Sequence, residues 1–206
     1  MRDRFCDSVS GSLRFVDSVV EAARHATFVQ ESGPERVDLK GALLAEIDAA
    51  AAPGVIIASS TSGLEPIVLQ CFCSVDPGWV IVGHPFDPAH IIPLVEVVPG
   101  RSTTAECAEE ALAFYRGIGK KPVLVRAEIP GHLTNRLQAA LWREAYSLVD
   151  RGVATVADID TAISHGPGLR WAIVGPFTAQ HLSGGEGGMR HLLNTWDRAL
   201  RSGWTI

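Results

Sequence analysis

The segment Gly83–Gly100, GHPFDPAHIIPLVEVVPG, places one histidine at the end of an apolar run and one carboxylate inside the next. His84 follows VIVG, and Glu96 stands twelve residues later in PLVEVV. Runs this short and this β-branched read as strands covered on both faces. Imidazole is the natural general base near neutral pH. A buried carboxylate within hydrogen-bond reach fixes its tautomer and stabilises the imidazolium that forms. The pair is therefore a candidate for taking a proton from a substrate. On spacing alone the plainer reading weighs more: a satisfied core histidine beside an unrelated strand-end glutamate.

Two more polar residues sit where strands end or helices begin. Ser62 lies in SSTSGL, directly after the apolar run GVIIAS. By itself it is a turn residue. Asn135 lies in PGHLTNRL, at the opening of a helical pattern. By itself it is a cap or a surface amide. Ligands of open α/β sheets bind at the carboxyl ends of strands, which is where Ser62 and His84 fall.

These residues need elements to hold them. Leu13–Val16, Thr27–Gln30, Gly54–Ser59, Trp79–Val82, Leu94–Val98 and Pro122–Val125 read as strands. Between them, Ser18 with Glu21 matches a capping box for a short helix to about His25, and Glu35–Ala51 and Thr103–Gly117 read as helices. Strands alternating with helices imply βαβ units and a mainly parallel sheet. From Gly131 onward no strand is expected. Leu133–Arg151, a helix capped by Thr155 and running to about Ser164, Pro176–Leu182 and Gly188–Arg201 carry helical spacing, with a Gly/Pro-punctuated stretch at Gly166–Gly175. The boundary falls near Pro130-Gly131, giving an α/β domain over 1–128 and an all-helical domain over 129–206.

Composition narrows the function classes. The chain has 206 residues, 47% hydrophobic and 20% charged, with a net charge of -5 and no basic run. That argues against nucleic acid or an anionic membrane as the main partner. No 18-residue apolar run exists, so no membrane span is expected. The N-terminus MRDRFCDSVSGS has no apolar core of a signal peptide. The cysteines Cys6, Cys71, Cys73 and Cys107 include C-x-C but no C-x-x-C, so no metal site is read. They read as small buried apolar residues in a reducing cytoplasm.

Taken together, strand–SSTSGL, strand–GHPFDP, PLVEVV and PGHLTNRL resemble the 3-hydroxyacyl-CoA dehydrogenase superfamily. The resemblance runs from about Ser12 to the C-terminus. The family pattern is H-x-x-N-P, then L-V-E, then P-G-F-x-x-N-R, and the spacing from His84 to Glu96 keeps it. The resemblance implies a Rossmann-type first domain that binds NAD and a helical second domain that forms a homodimer. It implies His84 as the base, Glu96 as its partner, and Ser62 and Asn135 as holders of the substrate oxygen. It implies that Glu31 and Arg36, in FVQESGPER, face the cofactor's nicotinamide side together with Ser62 and Asp87.

The stretch GPGLRWAIVGPF resembles the branch of the family acting on small free hydroxy acids rather than acyl-CoA thioesters. L-Carnitine, a quaternary ammonium hydroxy acid, is the first substrate this implies, with short 3-hydroxyacyl-CoA as the alternative. Aromatic faces suit such a cation, so Trp171 is a pocket candidate, and Arg170 suits the substrate carboxylate. Helix packing is the plainer reading of both.

Three departures from the family stand out. Asp87 takes the place of Asn in GHPFDP, and His132 that of Phe in PGHLTNR. No G-x-G-x-x-G turn follows a strand; the nearest runs are GPGLRW at 166–171 and GGEGG at 184–188. The expected architecture is therefore an incomplete Rossmann-type parallel-sheet domain, lacking the first βαβ unit, followed by an all-helical domain. A non-catalytic dimeric remnant is the competing function.

Overall fold

The computed structural model describes residues 11–201, with side chains through Trp196; Cys6 lies outside the described residues. The chain divides into two compact units, Met1–Arg136 and Leu137–Ile206.

The first unit is built on a sheet with strands in the order β1 (Phe28–Glu31), β2 (Ile56–Ser59), β3 (Val80–Pro85), β4 (Leu94–Pro99) and β5 (Lys121–Leu124). Along the chain it also carries α1 (Val19–Ala23), α2 (Val37–Ala50), α3 (Pro66–Gln70) and α4 (Ala105–Gly117). Ser18 caps α1 by accepting the Glu21 N–H, and Thr104 caps α4 by accepting the Cys107 N–H.

Alternate residues of the central strands supply two separate cores. Leu44 and Ile47 of α2 and Leu69 of α3 pack with Ile57, Val80, Val82 and Val98. Cys107, Ala111 and Tyr115 of α4 pack with Ile56, Ala58, Ile81, Val95 and Val97. A strand buried on both faces cannot alternate apolar with polar, which is why these strands read as continuous apolar runs. Burial pushes the Cys73 and Cys107 thiols up to about 12, with nearby carboxylates adding to it. Cys71, by contrast, is exposed.

Three features differ from the sequence expectation. Leu13–Val16 is not a strand; Leu13 and Phe15 are exposed and no ladder partner takes them up. The short helix α3 carried no sequence expectation. The sheet is parallel at β1–β2, β2–β3 and β4–β5, but β3 and β4 run antiparallel. The reason is length. Only the eight residues 86–93 join β3 to β4, whereas a parallel crossover needs about a dozen or more. The antiparallel register sets His84 directly opposite Glu96.

Among the described strands β1 forms one edge of the sheet, and its Phe28 ring stacks on Phe114 of α4 at 3.7 Å. Gly83, just before His84, has no room for a side chain: a Cβ there would stand 1.9 Å from the Tyr115 hydroxyl. That hydroxyl donates to Gln30 Oε1 at 2.5 Å, and Gln30 Nε2 donates to the Gly83 carbonyl at 3.0 Å. Gly83→Ala therefore forces Tyr115 off Gln30. It should destabilise the chain by about 1–3 kcal/mol, read as a lower urea midpoint at unchanged m-value. Adding Tyr115→Phe should recover only part of the loss, because the ring still crowds the new methyl.

The second unit is helical throughout its described residues. α5 (Thr134–Asp150) begins just before the division, and α6 (Val156–His165), α7 (Pro167–Trp171), α8 (Pro176–Ser183) and α9 (Gly188–Arg201) follow. Thr155 and Asp158 form a complete capping box on α6. The short α7, within the Gly/Pro-punctuated stretch, was not anticipated from its composition. Leu141, Trp142 and Tyr146 of α5 line a groove with Val156, Ile159 and Ile163 of α6.

Candidate active site

The antiparallel register points His84 and Glu96 to the same face of the sheet. Both are buried, and His84 Nδ1 lies 2.9 Å from Glu96 Oε2. Glu96 Oε1 meanwhile accepts the backbone N–H groups of Leu133, at 3.1 Å, and Thr134, at 2.7 Å. The carboxylate thus also caps the start of α5. Burial alone would raise the Glu96 pKa, but the hydrogen bonds from His84 and Thr134 outweigh it and hold the carboxyl below its ordinary 4.5. An ionised carboxylate only accepts, so His84 carries its proton on Nδ1. In the neutral ring that leaves the Nε2 lone pair as the basic atom.

The loop after β2 is shaped by Thr61 and Glu35. Glu35 Oε1 accepts from the Thr61 hydroxyl at 2.5 Å and from the Ser62 N–H at 3.0 Å. Thr61 Oγ1 in turn accepts the Leu64 N–H at 3.0 Å. Burial acts to raise the Glu35 pKa, yet the Thr61 hydroxyl, the Lys40 charge and the Ser62 and Gly63 N–H groups bring it below 4.5. Asn135 Nδ2 donates to the Ser62 carbonyl at 2.9 Å. Ser62 and Asn135, far apart in sequence, therefore meet in the first unit.

Glu31 ends β1 deep in the protein. Lys40 Nζ bonds both of its carboxylate oxygens at 3.1 Å, and the Ser59 hydroxyl donates to Oε2 at 2.5 Å. Lys40 Nζ also donates to the Gly33 carbonyl at 3.1 Å. The cluster locks α2 to the carboxyl ends of β1 and β2. Arg36 is placed differently: it pairs with Asp38 at the exposed surface. Asp87 is exposed, one residue past Phe86, whose ring lies 4.9 Å from that of His84. Arg170 and Trp171 stand on α7 in the second unit, both exposed.

Three residues of this constellation were not picked out from sequence as site residues. Lys40 had a legible signal, since Val37, Lys40, Leu44 and Ile47 share one helical stripe and a lysine there must be buried with a counter-charge. Glu35 had none, because its partners come from a separate loop. His132 also had none: it is fully buried, its backbone φ is 53°, and its Nε2 lies 3.1 Å from the Thr61 carbonyl.

The carboxyl ends of β1, β2 and β3 carry the buried Glu31–Lys40 ion pair, the Ser59 and Ser62 hydroxyls and the buried His84 imidazole, polar groups whose chemistry is compatible with a nicotinamide. No glycine-rich turn between a strand and a helix occurs among the described residues, so no pyrophosphate cradle is visible in them.

Comparison with known proteins identifies the family. The family model described as 3-hydroxyacyl-CoA dehydrogenase, NAD binding domain, matches residues 1–129, and the one described as 3-hydroxyacyl-CoA dehydrogenase, C-terminal domain, matches residues 131–203. An L-carnitine dehydrogenase from Streptomyces coelicolor is 51% identical over 193 residues, covering 94% of this chain and 60% of that protein. A 3-hydroxyacyl-CoA dehydrogenase from Gibberella moniliformis is 45% identical over 200 residues, covering 96% of this chain and 62% of its own length. The chain therefore spans about 60% of the curated relatives it matches. Among solved structures, 5-formyl-3-hydroxy-2-methylpyridine 4-carboxylic acid 5-dehydrogenase, an NAD+-dependent dismutase, superposes with a TM-score of 0.85 at 33% identity, over 95% of this chain and 60% of that one. With both of its domains matched, the chain belongs to the 3-hydroxyacyl-CoA dehydrogenase family.

Proposed function

We propose that this chain carries the proton-transfer half of an NAD-dependent dehydrogenase acting on the secondary hydroxyl of a small 3-hydroxy acid, foremost L-carnitine, oxidised to 3-dehydrocarnitine. The observation that carries the reading is the buried His84–Glu96 pair, with Nδ1 2.9 Å from the carboxylate. In this reading Nε2 of His84 takes the hydroxyl proton. Glu96 steadies the imidazolium with a carboxylate that stays ionised because α5 caps it. The Ser62 hydroxyl and the Asn135 amide hold the substrate oxygen as it becomes a carbonyl. The chemistry NAD+ supplies when bound is acceptance of the hydride from the same carbon. Oxidation of the alcohol is thus balanced by a proton to His84 and a hydride to the cofactor.

Glu31, Arg36, Ser62 and Asp87 face the cofactor in this reading. Glu31 acts through its bond to Lys40, and Arg36 by exchanging Asp38 for a cofactor group. Arg170 binds the substrate carboxylate and Trp171 its trimethylammonium face. The functional division is a partial NAD-binding domain over 1–128 and a substrate and dimerisation domain over 129–206. Exposed Leu137, Trp142, Tyr146 and Phe177 in the helical unit support a homodimer. No helix among the described residues is long and apolar enough to cross a membrane. The free cysteines support a reducing cytoplasm.

The test is NADH formation from L-carnitine by the purified chain at alkaline pH, beside 3-hydroxybutyryl-CoA. Carnitine turnover above that of the thioester is expected. No cofactor reduction with any hydroxy acid would sink the reading for this chain. It would favour the alternative, a non-catalytic dimeric remnant. Turnover of the thioester alone would point to a short-chain 3-hydroxyacyl-CoA dehydrogenase, the name borne by the Gibberella relative.

A further inference from the structure

His132 is the only buried side chain among the described residues with a nitrogen that no partner meets. The Thr61 carbonyl can only accept, so the His132 proton sits on Nε2, and Nδ1 is a bare, buried acceptor. Leaving such an atom unpaired is costly, and apolar side chains of similar size fill such sites without that cost. The backbone adds a second cost, because φ is 53° at a residue with a side chain. Two unfavourable features at one residue call for a compensating role.

Its surroundings indicate the role. The His132 ring centre lies 5.4 Å from that of His84 at an interplanar angle of 51°, so His84 is flanked by His132 on one side and Phe86 on another. The next two residues, Leu133 and Thr134, give their N–H groups to Glu96. Thr61, which receives the His132 proton, directly precedes Ser62, and Asn135 reaches back to the Ser62 carbonyl. The four residues His132–Asn135 thus touch the base's carboxylate, the base's ring and the loop of the oxygen site.

We propose that His132 is a positioning residue: as a neutral imidazole it ties the Ser62 loop to the turn that caps Glu96, and so fixes the base relative to the Ser62–Asn135 pair. The proposal rests on His84 being the base. The charged or titratable groups around the ring are His84 on β3, Glu96 on β4 and Glu35 ahead of α2. Burial opposes protonation of His132 most strongly, and although the bond to the Thr61 carbonyl and, more weakly, Glu96 and Glu35 favour it, a cation on His84 opposes it further and the balance holds the ring below its ordinary 6.5. The ring therefore stays neutral while His84 carries the substrate proton.

The test compares the full chain with His132→Phe, which keeps a ring but has no donor, and His132→Gln, whose amide can again donate to Thr61. Nitrogen NMR of labelled histidines should show the His132 proton on Nε2 at pH 7; a proton on Nδ1, or on both atoms, would overturn the proposal. Amide exchange at Ser62 and Thr134 should speed up about tenfold in His132→Phe and stay within about threefold in His132→Gln. Unchanged exchange in the Phe variant would overturn it too. With carnitine, kcat should fall about tenfold in the Phe variant, recover in Gln, and leave the KM for NAD unmoved. Faster exchange without a fall in kcat would overturn the positioning role. If the wild type turns nothing over, the function proposed above fails, while the NMR and exchange results still decide for or against His132. If the Phe variant does not fold, the wild-type NMR and the Gln variant decide.

Discussion

Under the proposed function, His84→Gln should lower turnover of L-carnitine by about 10²–10⁴-fold, the usual worth of a positioned general base. Glutamine cannot take a proton, so the proposed base is lost with the imidazole. Glu96→Gln should cost up to about 10⁴-fold, because an amide can present a donor to Nδ1 and so favour the wrong tautomer. The two losses should not add, since both variants disable one unit. Single-turnover NADH formation measures all three. A double variant no worse than His84→Gln is the expected result, and strictly multiplicative losses would contradict the shared role.

Glu96 also contributes to stability, with a definite sign. Its folded-state pKa lies below 4.5 because the bonds from His84 and Thr134 overcome burial. A depressed carboxylate stabilises the fold in full above its unfolded value, about 4.3. That contribution is lost as pH falls through the lower folded value. Glu96→Gln should therefore flatten the fall of stability on the acid side of pH 4.5, read by urea unfolding at stepped pH. It should also weaken the start of α5, whose Leu133 and Thr134 N–H groups lose an ionised acceptor.

Lys40→Met is the second large effect, and it does not depend on function. Side-chain exposure is 1% at Lys40 and 0% at Glu31, so the methionine leaves a carboxylate in the core with only hydroxyl and N–H partners. Breaking a buried pair from one side costs about 3–5 kcal/mol. Against a usual total of about 5–15 kcal/mol, that brings the chain close to unfolding. Adding Glu31→Leu removes the stranded charge, and the double variant should recover most of the loss. Denaturant midpoints of both variants at neutral pH decide it. If Lys40→Met alone is neutral, the pair is not holding α2 to β1 and β2.

Much of the frame was legible in the chain itself. The apolar runs at 54–59, 79–82 and 94–98 could only be strands covered on both faces, and β2, β3 and β4 lie within or around them. Ser18, Thr104 and Thr155 stand at helix starts because a Ser or Thr hydroxyl there accepts from an N–H group that the helix leaves unpaired. The antiparallel pairing was also in the sequence, though hidden: eight residues are too few for a parallel crossover, and the register that sets His84 opposite Glu96 came only with the structure. Leu13–Val16 misled because a short apolar run becomes a strand only if a neighbour offers it a ladder.

The sequence by itself determined most of the element types of the sheet and the helical unit, and it marked His84 and Glu96 as a candidate pair. Only the tertiary structure decided how those groups are held. The second oxygen of Glu96 binds N–H groups 37 and 38 residues away, His132 reaches Thr61 across 71 residues, and Asn135 reaches Ser62 across 73. Periodicity and caps report on neighbours within a few residues. Bonds between distant segments follow from how both cores pack α2, α3 and α4 on the sheet, and no local pattern encodes them.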